Sequence, residues 1–220
     1  MSNFEQRFWE NKYTARGFTP GKMFVKNNIG YVPIPKNSSS YIAGLLLRNG
    51  WGVINYLEDD MSNIEHIMVL LRDPVPRWVS GMSQYLFSGI VSQGIDPKNI
   101  ISQWNEVFNA LILDNMIFDD HTEKQVYFLN RIPMERCTFF DSTDRPHEYI
   151  KQFLAEYGQT LTDELDTNIL NFNSSTGSPR IKMVEFLTGL LGRDGRFVKQ
   201  IFDMYKDDYD LIGKTKYYGI

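Results

Sequence analysis

The chain has 220 residues, 42% of them hydrophobic and 14% aromatic, and a formal net charge of -4 at pH 7. That supports one full core, so a single domain over 1–220 is expected, with 1–29 as an N-terminal extension and 30–213 as the core. The acidic balance argues against a nucleic-acid binder, and no apolar run approaches the roughly 20 residues that cross a bilayer.

The opening segment, Met1 to Glu10, is polar and mixed in charge, unlike a secretory signal. The first strand is expected at Tyr31–Ile34. It runs into Pro35-Lys36-Asn37-Ser38-Ser39-Ser40 and then a helix over Ser39–Arg48. Strand, loop and helix in this order make an anion site, because a helix N-terminus presents unpaired N–H groups and a partial positive charge. Lys36 adds a full charge and the three serines add hydroxyl donors. In the common phosphate loop, G-x-x-x-x-G-K-[ST], the lysine closes the turn. Here it precedes the turn, which disfavours an ordinary ATP or GTP hydrolase. The plainer account makes Lys36 a surface lysine and the serines helix caps.

A second strand is expected at Val53–Leu57, ending at Glu58-Asp59-Asp60, and a third at Ile67–Leu71, ending at Arg72. The third is the short apolar run of a buried parallel strand. The following helix, Arg77–Phe87, puts Trp78, Met82, Tyr85 and Leu86 on one stripe and Ser80 on another face. Arg72 and Ser80 are candidates to converge on one anionic group, since a guanidinium grips phosphate with two donors; the plainer account is a salt bridge and a surface serine. Further helices are expected at Lys98–Leu113, Glu123–Asn130, Pro146–Glu156, Arg180–Leu191 and Arg196–Met204, and a fourth strand at Thr138–Phe140. Cys137 is the only cysteine, so no intramolecular disulfide forms, which suits a reducing compartment. The clearest loop, Asn171 to Pro179, leads into Arg180 and Lys182. Alternating strands and helices imply an α/β fold with a central, mostly parallel sheet flanked by helices. Ligands of such sheets sit at the carboxyl ends of the strands, where Lys36 and Arg72 fall.

Pro35 to Ser40 resembles the 5′-phosphosulfate loop of the sulfotransferases that use 3′-phosphoadenosine 5′-phosphosulfate (PAPS). Arg72 to Ser80, in the frame R-D-P-x-x-R-x-x-S, resembles the 3′-phosphate motif of the carbohydrate and heparan-type branch. His121-Thr122-Glu123-Lys124-Gln125 resembles the H-x-x-x-Q segment of carbohydrate-type members, and Tyr205 to Gly213 their Y-x-x-D-Y-x-L-hydrophobic-G ending. Ser38 departs from the pattern, which often has glycine there. The resemblance implies a P-loop-like sulfotransferase fold, PAPS as donor, adenosine 3′,5′-bisphosphate (PAP) as product and no metal. It also implies a carbohydrate acceptor and, for a chain opening on Met1 without an anchor, a soluble cytoplasmic member. Lys36 would neutralise the bridging oxygen, the backbone of Asn37, Ser38, Ser39 and Ser40 would hold the 5′-phosphate end, and Arg72 with Ser80 the 3′-phosphate. Two residues are candidate bases: Glu58, where heparan-type relatives use a glutamate after the second strand, and His121, whose ordinary pKa suits neutral pH and which follows Asp119 and Asp120. Two other classes are a small-molecule kinase with a degenerate phosphate loop, which needs Mg²⁺, and a non-catalytic nucleotide-binding protein.

Overall fold

The computed structural model describes residues 20–89, 116–143, 145–162, 180–193 and 195–216. They fall in two compact units, each taken by itself below. A sheet unit contains the described residues of Thr19–Asp73, Lys124–Asn173 and Asp207–Ile220; a helical unit contains those of Pro74–Glu123 and Ser174–Lys206.

The sheet unit has five strands: β1 (Lys22–Lys26), β2 (Ile29–Val32), β3 (Gly52–Asn55), β4 (His66–Leu71) and β5 (Cys137–Asp141), in the order β3-β1-β2-β4-β5. β2 pairs with β4 and β4 with β5 in parallel, whereas β1 is antiparallel to both β2 and β3. The fold is α/β, as expected, but the sheet is mixed rather than mostly parallel. The difference is β1, from a segment assigned above to an N-terminal extension. Lys26 pairs with Ile29, leaving Asn27-Asn28 as a two-residue hairpin turn, and Asn27 takes the φ of 54° that such turns require and asparagine tolerates.

β4, in the interior of the sheet, is buried on both faces. Met68 and Leu70 join one cluster with Tyr31, Phe140 and two helices, α1 (Ser39–Arg48) and α3 (Pro146–Glu156). Ile67, Val69 and Leu71 join the opposite cluster with Val32, Ile34, Phe128 and Leu211. The alternation is the two-residue period of a strand. Phe128 lies on a 3-10 helix, Gln125–Leu129, which replaces the α-helix expected over Glu123–Asn130. Cys137, at the start of β5, is half-buried, and burial, with Glu135 acting in the same direction, pushes its thiol up to about 12.

The helical unit packs α2 (Pro74–Gly89), α4 (Arg180–Arg193) and α5 (Gly195–Met204). The expected stripe Trp78, Met82, Tyr85 and Leu86 is buried, against Phe118, Met183, Leu187, Phe197 and Ile201. α2 opens on Pro74, a residue preset for the first helical turn. A short helix, α6 (Lys206–Ile212), returns to the sheet unit with Asp207 and Asp208 in its first turn. No described helix is long and apolar enough to cross a membrane. The expected helix at Lys98–Leu113 and the Asn171–Pro179 loop lie outside the described residues.

Candidate functional site

The connections of the sheet mark one crevice. After β2 the chain passes through α1 to the far edge and returns as β3; after β4 it returns on the other side as β5. Neighbouring strands whose connections leave in opposite directions form a topological switch point, the usual ligand crevice of open α/β sheets. Here the switch lies between β2 and β4, and the residues just past their carboxyl ends are Pro33 to Ser38 and Arg72.

Arg72 and the Lys36 loop are joined there. Arg72 Nη1 donates to the Lys36 carbonyl at 3.1 Å, using one of the five N–H donors of the guanidinium. Burial lowers the Arg72 pKa from its ordinary value, and Asp141 and Asp73 act in the opposite direction. A guanidinium keeps its charge through such a shift, and a partly desolvated cation attracts an anion more strongly than one in bulk water.

The loop itself has an unusual backbone. Lys36 and Ser38 have φ of 70° and 60°, on either side of Asn37, which does not share that sign. Alternation of this kind favours an anion-binding concavity. The Asn37 amide is already used, donating to Ile34 O at 3.2 Å, so the concavity rests on the amides from Ser38 to Ser40 at the start of α1. Ser38 is the N-cap of α1, but its left-handed backbone leaves no side-chain capping bond, so the cap role proposed for it from composition is not filled. Ser39 is buried and Ser40 exposed. The φ of Ser38 is one that glycine adopts without steric cost. A non-glycine residue in this region costs about 1–2 kcal/mol. Ser38→Gly should therefore leave stability unchanged or raise it by up to about 1 kcal/mol in urea denaturation. Ser38→Val, branched at Cβ, should lower it by about 1–3 kcal/mol, and a valine variant as stable as the parent would contradict the assigned backbone.

A buried polar network lies under the loop. Asn37, fully buried, donates through Nδ2 to Leu70 O at 2.8 Å and to Gln125 Oε1 at 2.6 Å. Gln125 Oε1 also accepts from Arg72 N at 3.0 Å, and its Nε2 donates to Arg72 O at 2.9 Å. Asp208, fully buried, accepts from Gln125 N at 2.9 Å through Oδ2 and from Val126 N at 3.0 Å through Oδ1. In the sequence Gln125 and Asp208 stand only as members of two motifs, with no role of their own. Their shared frame, H-x-x-x-Q with Y-x-x-D, was the signal available.

Glu58 follows β3, which runs parallel to β2, so it falls on the same edge of the sheet as Lys36. It is exposed, and no described side chain binds its carboxylate. Its neighbours behave as a solvated acidic turn: Asp59 accepts from Asn55 N, and Asp60 from the Ser62 amide and hydroxyl.

The helical unit holds the other two predicted residues. Ser80 is half-buried on α2. His121 Nδ1 lies 2.8 Å from Asp119 Oδ2 and 3.2 Å from Asp120 Oδ1, with both carboxylates buried and the imidazole 25% exposed. Asp119 Oδ1 also accepts the amides of His121 and Thr122, which fixes the carboxylate under the ring. A carboxylate at Nδ1 selects the tautomer with the proton there and leaves Nε2 as the basic atom. The three side chains also offer ligand atoms within 4.8 Å of one another, but the close His121–Asp119 pairing directs two of them at each other.

α2 reaches this turn at Gly81, where an added Cβ would overlap the His121 carbonyl and lie 2.8 Å from its carbonyl carbon. Gly81→Ala should therefore destabilise by about 1–3 kcal/mol despite the better helix propensity of alanine. Thermal melting checks this, and a variant as stable as the parent would contradict the packing. Arg180, one of the two basic residues singled out at the start of α4, binds Gln84 on α2 at 2.5 Å.

No protein-family model, curated protein or solved structure matches this chain.

Proposed function

We propose that the chain is a PAPS-dependent sulfotransferase with a P-loop-like fold, moving a sulfuryl group to a hydroxyl or amine of a carbohydrate acceptor. The observation that carries this reading is the bond from Arg72 to the Lys36 carbonyl at the β2–β4 crevice. It puts two cationic residues of the sheet unit beside a helix N-terminus, an arrangement suited to a ligand with more than one anionic group.

In this reading the sulfur–oxygen bond to the donor 5′-phosphate breaks as a bond to the acceptor oxygen forms. Lys36 neutralises the departing bridging oxygen, and PAP is released. The amides from Ser38 to Ser40, with the Ser39 and Ser40 hydroxyls, hold the 5′ end by preset dipoles, while the Asn37 amide closes the turn on Ile34 O. Arg72 holds the 3′-phosphate, with Ser80 assigned to it by the sequence frame. The acceptor proton passes to Glu58 or His121. His121 has the ring fixed by Asp119, and Glu58 has the position after β3. A single cysteine, which can form no intramolecular disulfide, suits a reducing compartment such as the cytoplasm.

The test is transfer of labelled sulfate from PAPS to a panel of carbohydrate, phenol and amine acceptors. Labelled product is expected, lost in Glu58→Gln or in His121→Ala according to which is the base. Tight nucleotide binding with no transfer to any acceptor would favour a non-catalytic nucleotide-binding protein instead.

A further inference from the structure

We propose that Gln125 is a positioning residue that sets the spacing between the Lys36 loop and Arg72, and so makes the site selective for a ligand with two anionic groups; this rests on the nucleotide-site reading above. One side-chain amide engages both elements. Toward β4 it acts as an extra strand partner, accepting from Arg72 N at 3.0 Å and donating to Arg72 O at 2.9 Å. Toward the loop, the same Oε1 accepts from Asn37 Nδ2 at 2.6 Å, and Asn37 is the residue between the two left-handed positions.

The Arg72 side chain returns to Lys36 O at 3.1 Å, which closes a ring of hydrogen bonds through Lys36, Asn37, Gln125 and Arg72. Asp208 anchors the ring from below, holding Gln125 N at 2.9 Å and lying 3.4 Å from Nε2. Asn37, Gln125 and Asp208 are all fully buried, so water does not replace a lost partner cheaply. None of the three needs to touch a ligand for this role.

The ring predicts a selectivity effect distinct from loss of the fold. Calorimetry compares PAP with adenosine 5′-monophosphate, which lacks the second anionic group, on folded protein. Gln125→Leu should weaken PAP at least tenfold and the monophosphate less than threefold, because only the doubly anionic ligand depends on the spacing. An equal loss for both, or no loss, would overturn the proposal.

Gln125→Glu keeps the size of the side chain and serves if the leucine variant fails to fold. Ionised, it sets a second carboxylate beside Asp208; protonated, it regains a donor. The ratio of PAP to monophosphate affinity, referred to the parent protein, should recover as pH falls from about 7.5 to about 5.5, and a flat ratio would overturn the role. If the parent binds neither nucleotide, the PAPS reading fails, but amide hydrogen exchange still judges the ring. Gln125→Leu should speed exchange across 36–40 at least tenfold relative to β4, and unchanged exchange there would overturn it.

Discussion

Lys36→Ala is expected to reduce sulfuryl transfer by about a thousandfold or more, roughly 4 kcal/mol of transition-state stabilisation, while the chain remains folded. In sulfuryl transfer, negative charge grows on the bridging oxygen of the departing phosphate, and a fixed cation there acts mainly in the transition state. The loss should therefore appear in kcat more than in KM. The folded state should tolerate the change. Lys36 is only half-buried, and alanine adopts the φ of 70° at a cost similar to that of lysine. The loop fold rests on the Asn37 side chain and the Lys36 carbonyl, both kept in the variant. Melting within a few degrees of the parent, with transfer lost, is the expected pair of results. Transfer retained within threefold would remove Lys36 from the chemistry.

Arg72→Ala is expected to weaken PAP at least tenfold to a hundredfold, about 1.4–2.7 kcal/mol, with a smaller effect on kcat at saturating donor. Two losses combine. The 3′-phosphate loses a charged two-donor partner, and the Lys36 carbonyl loses its hydrogen bond. Arg72→Lys separates them, since an ammonium restores charge without the planar fork. It should recover only part of the affinity. Undiminished PAP binding in Arg72→Ala would sink the 3′-phosphate assignment.

How much of this was legible in the sequence depends on how local the signal is. α1 and α3 have the bounds the sequence led one to expect, because Ser39 and Pro146 mark helix starts and apolar periodicity carries the rest. The placement of Lys36 and Arg72 at one sheet edge was legible because both follow apolar runs that pair in parallel. β1 was not, since Lys22 and Lys26 flank a core of only three apolar residues. The asparagine pair at 27–28 is the local hairpin signal in this segment. The segment after Glu123 reads as an α-helix by composition, but Asp208 binds its first two amides and it winds as a tighter 3-10 turn. That carboxylate lies 83 positions away in sequence, and Gln125 lies 88 from Asn37, so no local pattern encodes either contact. The carboxylates at His121, by contrast, come from Asp119 and Asp120, the two residues just before it, so a local pattern carries that contact.

The crevice between β2 and β4 is proposed to bind a nucleotide with phosphates at both the 3′ and 5′ positions. Calorimetric titration of the parent protein with PAP, set against ATP with Mg²⁺, tests it most directly. Saturable one-to-one binding of PAP, at least tenfold tighter than ATP with Mg²⁺ and insensitive to a metal chelator, is the predicted result. Binding of ATP that requires Mg²⁺, with none of PAP, would contradict it and point to the kinase class.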